Sequence, residues 1–336
     1  MTFNPSRCLV VGPSWVGDMV MAQSLFIALK QRFPDLAIDV LAPAWSKPIL
    51  AAMPEVRHAL EMPLQHGKLA LGTRYRLGTQ LRANQYDWAI VLPRSLKSAL
   101  VPFWAKIPVR TGYKGEMRYG LLNDIRPLDK SVLTMTVQRF VTLGLPQDAA
   151  LPPAIAAPRL QVSAAECATV KQQFLGNTTQ RVLALCPGAE YGEAKRWPAA
   201  YFAAVAQHWV AQGEQVLLLG SGKDAPVTAQ IANTVNASAC VDLAGKTSLQ
   251  EVLGLLAIAD QVVSNDSGLM HVAAAVDTPV IALYGSSDPT YTPPLNKHAR
   301  ILSLGLECSP CFKRECPLQH LDCLRKLEPQ QVISLL

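Results

Sequence analysis

The sequence feature that most constrains the fold is a repeated alternation of short apolar runs with segments of helical spacing. The run at 7–12, RCLVVG, ends at Gly-Pro, and apolar residues from Met19 onward recur every three or four positions until Pro34. An apolar run that stops at a turn and leads into an amphipathic helix is typical of a buried parallel strand in a β-α-β unit. Similar runs stand at 37–43 and 86–93. The first part of the chain is therefore predicted to form a doubly wound α/β domain.

The same pattern starts again after a stretch rich in proline. The segment 146–158 has Pro at four positions, so it can continue neither a helix nor a central strand. Beyond it, apolar runs at 181–188, 214–220 and 279–285 and the segment QVVSND at 261–266 alternate with helical segments at 199–212 and 267–276. We expect an N-terminal domain over 1–150, a linker over 151–160 and a C-terminal domain over 161–336, the two domains facing each other across a cleft.

Composition and charge exclude several classes of protein. The longest weakly charged apolar stretch, 98–109, is shorter than the roughly 18 residues needed to span a bilayer. The N-terminus has no signal-peptide pattern, so a cytoplasmic protein is expected. The net charge is +6, and the stretch 94–126 holds seven basic and two acidic residues. This stretch suggests an anionic partner, with a solvated basic face as the alternative, and no recognisable motif indicates nucleic-acid binding.

Four of the eight cysteines lie close together near the C-terminus, at Cys308, Cys311, Cys316 and Cys323. In a cytoplasmic chain this spacing favours metal binding or packed thiols over disulfides. A structural zinc site is one alternative, although the second pair is separated by six residues where the familiar zinc pattern has two. Buried free thiols are the other, and neither makes the cluster a catalytic centre. No cofactor is predicted.

Ligands of doubly wound sheets bind at the carboxyl ends of the strands, which directs attention to the loops at 12–18, 93–98, 187–197, 220–224, 264–268 and 285–290. The first of these ends in Asp18, directly before the first predicted helix. As an N-cap, its carboxylate would satisfy free helix amides. At the carboxyl end of a strand it could instead act as a general base. The residues alone leave both roles open.

Two loops of the second half have the chemistry of an anion site. Residues 263–275, VSNDSGLMHVAAA, predict a helix whose first amides, at Ser267, Gly268 and Leu269, would bind a phosphate. His271 lies one turn further along and could either reach the same ligand or pack in the core. In the loop 186–198, Lys195 precedes a predicted helix start, where a cation would stabilise a departing diphosphate; an ordinary exposed cation is the alternative.

Other nucleotide-binding patterns are missing from the sequence. GSGKD at 220–224 lacks the spacing of a P-loop, and no G-x-G-x-x-G follows the first predicted strand. The second absence disfavours a dinucleotide-dependent dehydrogenase. No two aspartates are spaced D-x-D, the pattern expected where a metal holds a sugar diphosphate. Chemistry on such a donor would therefore be metal-independent.

Several of these stretches together resemble the lipopolysaccharide heptosyltransferases of glycosyltransferase family 9. The resemblance runs from about Cys8 to about Arg300 and is carried by GPSWVGDMVMAQSL, RTGYKGEMRYGLLND, CPGAEYGEAKRWP, SNDSGLMHVAAA and YGSSDPTYTPPL. Within the family, SWVGDM at 14–19 resembles the group that adds the second heptose of the lipopolysaccharide core. The C-terminal cysteine cluster is the main departure.

The resemblance implies a GT-B fold, an α/β architecture of two Rossmann-like, doubly wound domains facing a central cleft. It implies inverting, metal-independent transfer of L-glycero-D-manno-heptose from ADP-heptose onto the first heptose of heptosyl-Kdo2-lipid A. The N-terminal domain would bind the acceptor and the C-terminal domain the donor. Asp18 matches the general base and Lys195 the cation that holds the donor diphosphate. The donor-binding positions are matched by Thr247, near the adenine, and by Asp266, Ser267, Gly268 and His271.

The implied partners are ADP-heptose and heptosyl-Kdo2-lipid A, with peripheral contact at the cytoplasmic face of the inner membrane through basic residues. Two alternatives remain open: another family 9 heptosyltransferase with a different acceptor, and a nucleotide-sugar binding protein without turnover. The presence of Asp18, Lys195 and Asp266 argues against the second, because a binding protein has no need of a base.

Overall fold

The structure, a computed structural model, describes residues 3–64 and 67–336. The chain divides into two compact units, one ending at Pro158 and the other starting at Arg159. Each unit contains one six-stranded parallel sheet with helices, which confirms the predicted α/β fold class. The division falls inside the segment 151–160.

The first unit is built on six strands: β1 (Arg7–Val11), β2 (Ala37–Ala42), β3 (Val56–Glu61), β4 (Trp88–Val91), β5 (Val109–Tyr113) and β6 (Asp124–Arg126). The α-helices are α1 (Val16–Arg32), α2 (Lys47–Ala51), α3 (Leu71–Leu81), α4 (Leu100–Trp104) and α5 (Thr136–Thr142). The strand order is β3-β2-β1-β4-β5-β6. The chain therefore reverses direction across the sheet between β1 and β4, where such folds place their ligands.

The second unit repeats this topology with the strands β7 (Val182–Cys186), β8 (Gln215–Leu218), β9 (Cys240–Asp242), β10 (Gln261–Asn265), β11 (Val280–Leu283) and β12 (Arg300–Leu302). Its helices are α6 (Ala164–Leu175), α7 (Ala199–Val210), α8 (Ala225–Val235), α9 (Leu249–Ile258), α10 (Gly268–Ala275), α11 (Asp322–Arg325) and α12 (Pro329–Ile333). The order β12-β11-β10-β7-β8-β9 puts the reversal between β7 and β10.

The central strands are buried on both faces, which explains why their sequences are continuous apolar runs. All five residues of β7 and all four of β11 are buried. In the second unit, Trp197, Phe202 and Trp209 pack against this sheet together with α12. Each such side chain contributes roughly 1.5–3 kcal/mol when it is removed from water.

The predicted strands and helices agree with the observed ones to within a few residues. One difference bears on function: α1 begins at Val16, with Trp15 as its N-cap. Asp18 is therefore in the first turn of the helix and is not the N-cap that one interpretation of the sequence would make it. Along the described residues, no helix combines the length and the apolar content needed to cross a membrane.

Candidate active site

The second unit brings Lys195 and Asp266 together at the point where its sheet reverses direction. Lys195 lies in the loop after β7 and Asp266 directly follows β10, and the two strands are neighbours in parallel register, with Cys186 level with Ser264. Lys195 Nζ forms an ion pair with Asp266 Oδ2, and both side chains are largely buried. The sequence placed both residues at the carboxyl edge of the sheet, and the structure adds that they are paired.

A buried amide joins the two loops that carry this ion pair. The Asn265 side chain accepts a hydrogen bond from the Trp197 amide at 3.1 Å and donates one to the Pro187 carbonyl at 2.7 Å. Asn265 is completely buried, so these two bonds replace those it would make to water. These hydrogen bonds fix the backbone next to Lys195 and Asp266. From the sequence, Asn265 was recognisable only as a polar residue at the end of an apolar strand.

The N-terminus of α10 starts beside Asp266. Its N-cap is Ser267, in extended conformation, and within the described part of the chain its side chain makes no capping hydrogen bond to the helix. Instead, its hydroxyl lies 3.2 Å from that of Ser264. The helix dipole and the first amides of α10, from Gly268 onward, favour an anion at this position.

His271 lies in the first part of α10 and is buried. Burial lowers the pKa of its imidazole to about 4, with nearby Lys195 acting in the same direction and Asp266 opposing it. The ring is therefore neutral near pH 7. His271 can offer a hydrogen bond to a ligand but no positive charge, so the positive charge at this edge comes from Lys195 and its neighbours.

Thr247 lies in the loop between β9 and α9, two strands away from β7. Its hydroxyl is buried and has no hydrogen-bond partner among the described residues. The same loop packs on the 220–224 loop: the Gly245 amide donates to the Gly220 carbonyl, and Gly245 has a φ of +71°. The structure places Thr247 at the same edge of the sheet as the ion pair, without a direct hydrogen bond to either member.

In the first unit, Asp18 is half-buried in the first turn of α1, after β1. At the same edge of this sheet, a cavity of about 570 Å³ is lined by residues from the ends of β1, β2, β3 and β4. One of its walls is the loop 93–98, which carries Lys97. The buried Arg118 guanidinium donates to the Pro93 carbonyl, and that of Arg74 donates to the Lys97 carbonyl. Two buried cations thus fix this loop.

The basic surplus of 94–126 is smaller at the surface than the composition suggests. Arg110 donates to the carbonyls of Ile107 and Leu121, and Arg126 pairs with Asp124 at 2.9 Å. Arg118 is buried, and burial lowers its pKa to about 10, which still leaves it charged near pH 7. The remaining cations of the stretch, which are at least partly exposed, are Arg94, Lys97, Lys106 and Lys114.

The four C-terminal cysteines are free thiols, each partly exposed. Across the residues that the structure describes, no group of three or more histidine, cysteine or acidic side chains has the arrangement of a metal site. The sequence did not indicate where the segment that carries these cysteines lies in the structure. Its residues Phe312 and Arg314 contact the loop that carries Lys195.

Comparison with known proteins gives one consistent family. Residues 74–322 match the family described as glycosyltransferase family 9 (heptosyltransferase). The chain is 46% identical to lipopolysaccharide heptosyltransferase 2 of Salmonella typhimurium, over 98% of this chain and 97% of that protein. It is 51% identical to lipooligosaccharide heptosyltransferase 2 of Haemophilus influenzae, over 88% of each.

A solved structure, that of E. coli ADP-heptose lps heptosyltransferase II, superimposes with a TM-score of 0.88 at 43% identity and covers 98% of this chain and 97% of that one. The comparisons and the structure agree. The similarity extends over nearly the full length, and both units have the same doubly wound topology, with a buried lysine–aspartate pair at the edge of the second sheet. The chain belongs to glycosyltransferase family 9, the heptosyltransferases.

Proposed function

We propose that this chain transfers L-glycero-D-manno-heptose from ADP-heptose onto the first heptose of the lipopolysaccharide inner core, heptosyl-Kdo2-lipid A. The observation that carries the proposal is the Lys195–Asp266 pair beside the uncapped start of α10, in a chain so similar to heptosyltransferases of the second type. A cation and free helix amides at one edge suit a nucleoside diphosphate, the leaving group of such a donor.

In the proposed reaction, Lys195 and the first amides of α10 bind the donor diphosphate. As the bond between the anomeric carbon and the phosphate oxygen breaks, that oxygen keeps the electron pair, and the cation stabilises the growing negative charge. Asp266 holds the Lys195 ammonium in place and orients the sugar. The neutral His271 contributes a hydrogen bond, and Thr247 contacts the nucleoside. Because the charge is met by this chain's own groups, the transfer is proposed to be metal-independent.

Asp18 is the proposed general base. The acceptor hydroxyl attacks the anomeric carbon from the face opposite the diphosphate, which inverts the configuration, and its proton passes to the Asp18 carboxylate. The partly exposed carboxylate in the first turn of α1 supports this role, since it follows β1 at the ligand-binding edge of the sheet. The cavity beside β1 and the exposed cations of 94–126 fit an acceptor that carries phosphates and carboxylates.

The same cations fit a peripheral place at the cytoplasmic face of the inner membrane, where anionic lipid attracts basic residues. The acceptor choice is tested with substrates that carry no, one or two heptoses. Turnover confined to the mono-heptosylated acceptor supports the proposal, whereas a preference for another acceptor indicates a different member of the family.

The first mutational test is Asp18→Asn, which keeps the shape of the side chain and removes the base. With EDTA present, we expect ADP release from ADP-heptose and mono-heptosylated acceptor to fall about a hundredfold or more, the range for a lost general base. Donor affinity should stay unchanged. Near-native turnover of the variant would show that the base lies elsewhere.

A further inference from the structure

The loop that carries Lys195 is packed against the C-terminal segment 309–314. The Tyr191 hydroxyl donates to the Phe312 carbonyl at 2.8 Å, and the Ala194 amide donates to the Arg314 carbonyl at 3.0 Å. On its other side, the Phe312 amide donates to the Ser286 carbonyl at 2.7 Å, in the loop after β11. The backbone of the segment is thus fixed between two loops at the ligand-binding edge of the second sheet.

This packing requires glycine at position 192. Gly192 has a φ of +152°, and a Cβ there would collide with the Arg314 carbonyl. The close approach brings the backbone of Arg314 against the loop that carries Lys195. The ring of Tyr191 contacts both cations: Lys195 Nζ lies 5.2 Å and Arg314 Cζ 5.4 Å from its centroid. An aromatic ring attracts cations to its faces, so Tyr191 helps to position both side chains.

Arg314 brings a further cation to the edge of the sheet that holds the Lys195–Asp266 pair. Lys195 is paired with Asp266, and His271 is neutral. The Arg314 side chain is exposed and forms no ion pair with any carboxylate in the described ranges 3–64 and 67–336. A guanidinium offers several N–H groups in one plane, which fit two phosphate oxygens at once. Arg314 therefore adds an exposed positive charge to the loop region that holds the Lys195–Asp266 pair.

We propose that Arg314 is a second diphosphate-binding cation of the donor site, positioned by Tyr191. This inference rests on the proposed function, because it takes the ligand at Lys195 to be a nucleoside diphosphate. Lys195 and Arg314 then bind the diphosphate from the two loops that meet at Tyr191.

The test uses the full chain and ADP as the probe. Arg314→Gln removes the charge at an exposed position, and Lys313→Gln, on the neighbouring exposed residue, is the matched control. In titration calorimetry we expect the ADP dissociation constant of Arg314→Gln to rise about tenfold, the effect of one lost charged hydrogen bond. Lys313→Gln should bind ADP like the wild type, and Arg314→Lys should recover part of the loss.

Steady-state kinetics provide a second measurement. The KM for ADP-heptose should rise in Arg314→Gln while the KM for the acceptor stays constant, and adenosine, which has no phosphate, should compete equally well in both proteins. An ADP affinity within twofold of the wild type, or an equal loss in Lys313→Gln, overturns the assignment. If the wild type transfers heptose, such a result leaves the proposed function standing; if the wild type binds no ADP, the proposed function itself fails.

Discussion

His271 and Asn265 are both buried polar residues near the Lys195–Asp266 pair, but they affect the protein in different ways. Asn265 has its hydrogen bonds satisfied within the protein, so it serves to fix the loops. His271 is buried in its neutral form, with a pKa of about 4 in the folded state compared with an ordinary value of 6.5. Between these two values the unfolded chain binds a proton that the folded chain does not.

The stability of the second unit should therefore depend on pH through His271. The contribution of His271 to the free energy of unfolding is fully present above about pH 6.5 and is lost progressively as the pH falls toward 4. Since one pKa unit corresponds to about 1.4 kcal/mol, the loss is on the order of 3 kcal/mol. In urea denaturation at pH 7 and pH 4.5, we expect His271→Gln to lose less stability on acidification than the wild type.

His208→Gln is the control, because His208 is exposed on α7. This variant should lose as much stability as the wild type. Equal losses in all three proteins would contradict the assignment of the pH dependence to His271.

For single residues, the sequence predicts the chemistry that each side chain can perform but only some of its contacts. Lys195, Asp266 and His271 were identified from loops at strand ends, and the structure brings them together. Arg314 was not identified, because its partner Tyr191 lies far away in the chain; the neighbouring contact, from Tyr191 to Phe312, joins residues 121 positions apart. A contact between loops that are distant in sequence leaves no periodic pattern that could predict it.

At the scale of elements, the loop after β7 and the C-terminal segment 309–314 pack directly against each other, because Gly192 has no side chain between them. Gly192→Ala should separate them, since it adds a Cβ against the Arg314 carbonyl at a backbone conformation that L-residues rarely adopt. The added Cβ should displace both the loop that carries Lys195 and the Arg314 side chain. Because small displacements of binding groups weaken binding strongly, we expect ADP affinity to fall about tenfold or more. Calorimetric titration measures this.

Gly213→Ala is the matched control for that experiment. Gly213 also has a positive φ, +82°, but an added Cβ would meet nothing within 4 Å. The control should therefore lose about 1–2 kcal/mol of stability from backbone strain and bind ADP normally. If both variants lose ADP affinity alike, strain in the backbone, and not the contact with the C-terminal segment, is responsible.

Element prediction succeeded where burial is complete. The strands β1, β7 and β11 have largely apolar sequences because both of their faces are covered, and their predicted bounds agree with the structure to within two residues at each end. Short edge strands such as β6 and β12, of three residues each, carry too few residues for a pattern. The start of α1 was predicted three residues too late, at Met19 instead of Val16, because Trp15 caps the helix without a typical capping side chain.

At the scale of the whole molecule, donor binding belongs to the second unit alone in our proposal. Hydrogen exchange of the full chain with and without ADP tests this. We expect slower exchange in the loop 187–197 and at the start of α10, since bound ligand stabilises the segments it contacts. The loop 93–98 and α1 should exchange at the same rate in both conditions. Protection centred on the first unit would contradict the placement of the donor.

The contact between the C-terminal segment and the loop after β7 also has a consequence for biosynthesis. All strands of the first unit come from residues before 127, so its sheet can form while the ribosome is still translating the rest of the chain. The Lys195 loop, in contrast, receives its contacts from Phe312 and Arg314 only after the ribosome has translated the residues up to 314. A nascent chain, or a product cut short before these residues, would have a finished first unit and an incomplete nucleotide site.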